Sequence, residues 1–247
     1  MEKVMITTTF YDPDNHVSRV RSEIAKRAFK NTIENGCPIV AVDGGSPDEL
    51  LKEFESYGAL ILPEEQRGIG PARRQAIRFA YNQDAQAMLW AEPEKDLSDF
   101  LDAIFRPLLN GEADFLIPAR KDRSSYPLFQ QQTEGLGNKL WEDITGTRLD
   151  MFFGARAWKK DLSRYFLNYD GKMQDAIHIP VVDIVYADHN VKSVEIDFVY
   201  PRAQREIEES LLNSQSMQIK RLEQVAELSR KTLERWEFLQ RVQVMKY

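Results

Sequence analysis

Residues 87–96 read Ala-Met-Leu-Trp-Ala-Glu-Pro-Glu-Lys-Asp, an apolar run that stops at acidic residues. Glu92 and Glu94 lie one residue apart with the rigid Pro93 between them, and Asp96 follows. Two carboxylates so placed can hold a divalent cation against a diphosphate, because hard cations take oxygen ligands and bridge phosphate oxygens. The alternative is a strand that ends in a solvated acidic loop. A second candidate is Arg-Gly-Ile-Gly-Pro-Ala-Arg-Arg over residues 67–74. Gly68 and Gly70 before a helix allow close backbone approach, and the helix N-terminus with Arg73 and Arg74 favours an anion such as phosphate. An ordinary loop with solvated arginines would read the same way.

The elements that must position these residues follow from periodicity. Residues 4–10 are short, β-branched and bounded by Asp12-Pro13-Asp14, which predicts a first strand running into a turn. Val17, Val20, Ile24, Ala28 and Ile33 fall at helical spacing, and Asn35-Gly36 ends that helix. A strand over 38–42, a helix over 49–57 and a strand over 59–62 come next. Then follow a helix to residue 80, the strand of the acidic stretch, a helix over 97–109 and an apolar run over 114–118. Alternating strands and helices predict an α/β fold with a parallel sheet, whose ligands gather outside the carboxyl ends of the strands. Met88, Leu89 and Trp90 suit a buried strand of that kind, which puts Glu92 and Glu94 at the ligand-bearing edge.

The pattern then loosens. Residues 120–132 are polar with one proline and predict a mobile loop. Helices are expected over 133–144 and 157–166, residues 171–184 are ambiguous, and 191–200 alternate like a strand. From Gln204 onward there is neither proline nor glycine, so a long helix or helical pair is expected. Its stripe, Leu222, Val225, Leu228 or Ser229, Leu233, Trp236 and Leu239, must be covered by the domain or by a second copy of the chain.

Composition bounds the function. At 247 residues and 43% hydrophobic content the chain can bury a large core. A formal charge of -6 argues against a general nucleic-acid binder. The single cysteine, Cys37, excludes an internal disulfide and a multi-cysteine zinc site, so a cytoplasmic location is expected. No uncharged apolar run is long enough to predict a transmembrane segment.

Taken in order, these motifs resemble the GT-A nucleotide-sugar glycosyltransferases, family-two type, which include the dolichyl-phosphate mannose synthases. Thr9-Phe10-Tyr11-Asp12 matches the family's turn after strand one, and Val42-Asp43-Gly44-Gly45-Ser46-Pro47-Asp48 its V-D-D-G-S-x-D, with Gly44 where the family has its second aspartate. Gly68-Ile69-Gly70-Pro71-Ala72 matches G-x-G-x-A, and Glu92-Pro93-Glu94 stands in place of D-x-D. The resemblance implies a single Rossmann-type, mostly parallel sheet flanked by helices with a long C-terminal helical extension. Residues 1–202 would be the GT-A-like domain, divided into a nucleotide-sugar half (1–120) and an acceptor half (121–202), with 203–247 as the extension.

It further implies a hexosyltransferase that moves a sugar from a nucleoside-diphosphate sugar to a small-molecule or lipid-phosphate acceptor. Thr9, Tyr11, Asp12, Asp43, Gly68, Gly70, Arg73, Arg74 and Glu92 would bind the donor. Mg2+ or Mn2+ would sit on Glu92 and Glu94, with His178 as an extra ligand, and Asp175, or else Asp150, would deprotonate the acceptor. Two other readings stay open. A nucleotidyltransferase on a similar sheet would need a glycine-rich basic loop after strand one, and residues 10–15 offer none. A non-catalytic GT-A-like domain would act through nucleotide-sugar binding or through its C-terminal helix, whose apolar stripe is also the seam expected for a homodimer.

Overall fold

A computed structural model describes residues 2–210 and 214–244 of the chain. β1 (Lys3–Thr9), α1 (His16–Glu34), β2 (Ile39–Asp43), α2 (Asp48–Tyr57), β3 (Leu60–Pro63), α3 (Ile69–Asn82) and β4 (Ala87–Trp90) alternate as their periodicities dictate. α4 (Leu101–Leu109), β5 (Phe115–Arg120), α5 (Leu128–Thr145), β6 (Arg156–Lys159) and α6 (Ser163–Leu167) come next. The chain continues with α7 (Asp175–Tyr186), β7 (Val191–Ile196), α8 (Arg202–Glu208) and α9 (Ser214–Val244).

The strands form one sheet of order β3-β2-β1-β4-β6-β5-β7. All neighbours are parallel except at β6, which runs antiparallel to both β4 and β5. The mostly parallel α/β sheet expected from the sequence is therefore present. Alternation of side chains sorts each strand between two cores. Met5, Ala87 and Leu89 face one core, where Phe29 of α1 stacks on Phe54 of α2 at 4.2 Å between ring centroids. Val4, Ile6, Met88 and Trp90 face the other, which α3, α6 and α7 cover.

Local chemistry explains the boundaries. The Asn15 side chain accepts from the Ser18 N–H at 3.1 Å and starts α1, and Gly58 at φ 104° ends α2 in a conformation that glycine adopts without strain. Two segments differ from expectation. Residues 157–166 were expected as a helix, yet Arg156–Lys159 form β6, because four residues carry no period long enough to separate strand from helix and the slot between β4 and β5 decides it. The polar loop after β5 is shorter than expected, since α5 begins at Leu128 behind Pro127.

α9 lies back on the domain against α5 and α7. Val225 and Leu228 of its stripe are buried and Trp236 and Leu239 pack against the second core, whereas Leu222 and Leu233 remain exposed. Arg235 holds Asp183 of α7 through two hydrogen bonds of 2.7 and 3.0 Å. Among the described residues no helix is long and apolar enough to cross a membrane.

Candidate active site

Because β1, β2, β4 and β5 run the same way, Thr9, Asp43, Trp90 and Arg120 all end at one edge of the sheet. β6, running the other way, begins there with Arg156, which pairs in register with Trp90. Beyond this edge lies a cavity of about 260 Å³. Glu92, Glu94 and Lys95 line it from the loop after β4, and Phe153, Gly154 and Arg156 from the start of β6. α7 contributes His178, and α9 closes the far side with Lys220, Arg221 and Gln224.

The two glutamates expected at a ligand site are there, and each already faces a cation. Glu92 Oε2 is 2.6 Å from Lys95 Nζ, and Lys95 also donates to the carbonyl of Phe153. Burial works against the Glu92 charge, but Lys95, with Arg21 and Arg221 further off, draws its pKa down to about 2. Glu94 accepts a 3.3 Å hydrogen bond from the Tyr11 hydroxyl and lies 3.2 Å from Arg21 Nε. Burial, and then the charge of Glu92, outweigh Arg21 and raise the Glu94 pKa above the usual carboxylate range.

Arg156 is the other notable group. It is buried, yet its hydrogen bonds go to the carbonyls of Gly154 (2.8 Å) and Met151 (3.0 Å), with His178 Nδ1 at 3.4 Å, and to no carboxylate. Its Nε has no partner, and neither does the buried Tyr126 hydroxyl on the same cavity wall. Desolvation, helped by the nearby charge of Arg73, lowers the Arg156 pKa to about 9 despite Glu92. Such a cation would gain from an anion brought into the cavity.

The expected metal ligands do not assemble. His178 stacks edge-on to Trp141 at 5.4 Å, and burial, followed by Arg156, pushes its pKa well down, so it is a neutral imidazole facing a guanidinium. Among the described residues no group of three or more His, Cys, Asp or Glu side chains is placed to hold a metal ion. The residues present therefore do not form a divalent-ion site as they stand, since Lys95 and Arg21 occupy the two carboxylates.

Other expected site residues do structural work. Asp43 is buried in its own turn, accepting from Thr9 Oγ1 (2.8 Å), Ser46 Oγ (2.5 Å) and the N–H groups of Gly45 (2.7 Å) and Ser46 (2.8 Å). That leaves it little capacity to read a ribose. Tyr11 connects this turn to the cavity wall by taking Ser46 Oγ on its N–H and giving its hydroxyl to Glu94. Asp12 is exposed and lines a separate shallow depression with Arg19 and Glu49.

The glycine-arginine segment holds protein backbone instead of phosphate. The Gly70 N–H donates to the carbonyl of Lys172, and a Cβ at Gly70 would stand 2.0 Å from the carbonyl oxygen of Gly171. Gly68, at φ 127°, gives its N–H to Glu64. Arg74 bonds the carbonyls of Tyr169 and Gly171, and Arg73 bonds the Met173 carbonyl and Gln174. Three of the four residues read as an anion cradle, Gly70, Arg73 and Arg74, thus fasten the loop before α7 to the start of α3.

Neither expected base lines the cavity. Asp150 is buried beside Arg120, which donates from Nε (2.9 Å) and Nη2 (2.8 Å), and Asn138 adds a third hydrogen bond of 2.7 Å. Asp175, at the start of α7, accepts from the Met173 N–H and from Lys231 of α9, both at 2.8 Å. Both carboxylates are bound to cations that fasten elements together.

The groups missed are Lys95 and the inward patch of α9. Lys95 was legible as the residue after the acidic pair. Arg221, Gln224 and Leu228 follow one another on α9 at intervals of three and four, and the half-buried Arg221 and Gln224 in line with the apolar stripe were the available signal.

The fold is that of the GT-A nucleotide-sugar glycosyltransferases, with the cavity at the carboxyl edge of the sheet. Solved structures of glucosyl-3-phosphoglycerate synthase from Mycobacterium tuberculosis share it. The complex with Mn2+, UDP and phosphoglyceric acid has a TM-score of 0.65 at 12% identity, over 95% of this chain and 78% of that chain. The complex with Mn2+, UDP-glucose and phosphoglyceric acid has a TM-score of 0.65 at 11% identity, over 96% and 80%. That with Mg2+ and UDP has a TM-score of 0.62 at 12% identity, over 92% and 79%. The expected ions, Mn2+ or Mg2+, thus accompany UDP in those proteins. No family model matches the chain, and no curated protein does.

Proposed function

We propose that the protein is a cytoplasmic glycosyltransferase that takes a hexose from a nucleoside-diphosphate sugar and passes it to a small acceptor carrying a phosphate or carboxylate. The observation that carries this reading is Arg156, a buried guanidinium without a carboxylate partner, on the wall of a cavity at the carboxyl edge of a GT-A sheet. The solved proteins of this fold hold a nucleotide, a divalent ion and phosphoglyceric acid together. Residues 1–120 supply the donor side through Glu92, Glu94 and Lys95, and residues 121–202 supply Arg156 and His178. α9, in the extension, adds Lys220 and Arg221 to the acceptor side.

In the transfer, the acceptor hydroxyl oxygen bonds the anomeric carbon while the bond from that carbon to the β-phosphate oxygen breaks. The electron pair leaves with the diphosphate, whose growing charge Arg156 and Lys95 stabilise from fixed positions. Glu94 takes the role expected of Asp175. It lines the cavity, and its raised pKa suits a carboxylate that accepts the hydroxyl proton.

A thermal-shift screen of UDP, GDP, ADP, CDP and dTDP, with and without Mn2+, tests the donor assignment. A ligand at a hundred times its Kd adds ~2.7 kcal/mol to native stability, equivalent to ~5–10 °C in a chain of this size. No shift by any of them, in either condition, would overturn it. The closed pairs of Glu92 with Lys95 and Glu94 with Arg21 favour a second reading, a non-catalytic domain that binds the nucleotide sugar. Prolonged incubation that leaves every bound nucleotide sugar intact would support that instead.

A further inference from the structure

Lys95 pairs with Glu92, one of the two carboxylates that would hold a divalent ion in this cavity. We propose that Lys95 supplies from the chain itself the positive charge that a divalent ion would bring to the diphosphate, so that a nucleoside diphosphate binds this cavity without added metal. The inference rests on the donor assignment above and deepens it.

Three features of the site support it. First, Lys95 is only 8% exposed, and its ammonium is fixed between Glu92 Oε2 and the Phe153 carbonyl. An ammonium has three N–H donors, and two are used there, leaving one for a ligand in the cavity that Lys95 lines. Second, the chain makes room for it. Gly154 sits at φ 93°, and a Cβ there would lie 2.9 Å from Lys95 Nζ and 3.8 Å from Glu92 Oε1. A Cβ at 154 would crowd the ammonium in the place it occupies, and glycine both avoids that contact and adopts this φ without strain. Third, the local charge remains positive after internal pairing. Five cations and four carboxylates line the cavity, with Lys220, Arg221, Glu134 and Glu208 added to the groups already named, a surplus of one positive charge that favours an anion.

The geometry also disfavours an added ion. Mg2+ demands near-octahedral oxygen ligands and sheds water reluctantly. Here one glutamate is engaged with Lys95, and the other with Arg21 and the Tyr11 hydroxyl. An ion on the Glu92 oxygen that Lys95 holds would have to displace the ammonium, so the two cations compete for that place.

Isothermal calorimetry with UDP, GDP, ADP and dTDP, in EDTA and then in Mn2+, tests this on the full chain. The wild-type protein should bind its preferred nucleotide in EDTA with a Kd within about threefold of that in Mn2+. Lys95→Met should weaken binding in EDTA at least tenfold and should make Mn2+ binding tighter, since the competitor is gone; Lys95→Arg should restore part of the loss in EDTA. Circular dichroism verifies that each variant is folded, and the wild-type comparison stands without any variant. Wild-type binding seen only with Mn2+, or a folded Lys95→Met that binds unchanged in EDTA, would overturn the inference and leave the donor assignment intact. No binding of any nucleotide in either condition would overturn both.

Discussion

Gly70→Ala separates two explanations of the glycine-arginine segment. If Gly70 served ligand approach, alanine would weaken binding and leave stability unchanged or higher, because alanine in a helix is favoured over glycine by up to ~1 kcal/mol. The structure gives the opposite sign. A Cβ at Gly70 would stand 2.0 Å from the Gly171 carbonyl oxygen and 2.8 Å from Lys172 Cα, and both are backbone atoms that no rotamer change can move. Forcing that loop back costs ~1–3 kcal/mol as overpacking. Straining the hydrogen bond from the Gly70 N–H to Lys172 costs roughly another 1 kcal/mol. After the helix-propensity gain the net loss is ~2 kcal/mol, or ~4–8 °C in melting temperature. Gly135→Ala in α5 is the control, since the nearest atom to its Cβ would be 3.9 Å away and the same propensity gain should appear unopposed. Urea unfolding of the two variants beside the wild type reads both effects. A Gly70→Ala protein as stable as wild type would refute the assignment of this glycine to loop packing.

Arg120→Met should be the most damaging of the ion-pair variants. It leaves Glu134 and Asp150 buried without the guanidinium that bridges them, at a cost of ~3–5 kcal/mol by chemical denaturation. The Asp150 carboxyl, against its burial, is held below the usual range by Arg120, so its contribution to stability is present above the unfolded carboxylate value and is lost as pH falls through the folded one. Stability should therefore drop below about pH 4, and Asp150→Asn should flatten that fall; an acid profile identical in the two proteins would count against it. Burial pushes the Cys37 thiol up to about 12, so a thiol reagent at pH 8 should leave the native protein unlabelled and react only in denaturant.

Much of the architecture was legible from local pattern. The strand-helix alternation of the first half, the parallel sheet and the edge at which chemistry gathers follow from periodicity and turn residues, which act over a few positions. β6 was not legible, because four residues between two strands take their conformation from the slot they fill. The partners of the site residues were not legible either. Asp43 sits at the tip of β2 as expected, yet its lone pairs go to Thr9 and to its own turn. Asp175 lies before α7 as expected, yet Lys231 from α9 takes its charge.

The sequence alone determined an α/β chain that places Glu92 and Glu94 at the carboxyl edge of a parallel sheet, since side-chain period and turn residues require nothing beyond neighbouring residues. Only the tertiary structure decided that these carboxylates meet Lys95 and Arg21, that Gly70 packs against backbone, and that α9 closes the cavity. The charge state and availability of an ionisable group depend on which distant groups packing brings near it and on how much water packing removes, and no spacing along the chain carries either quantity.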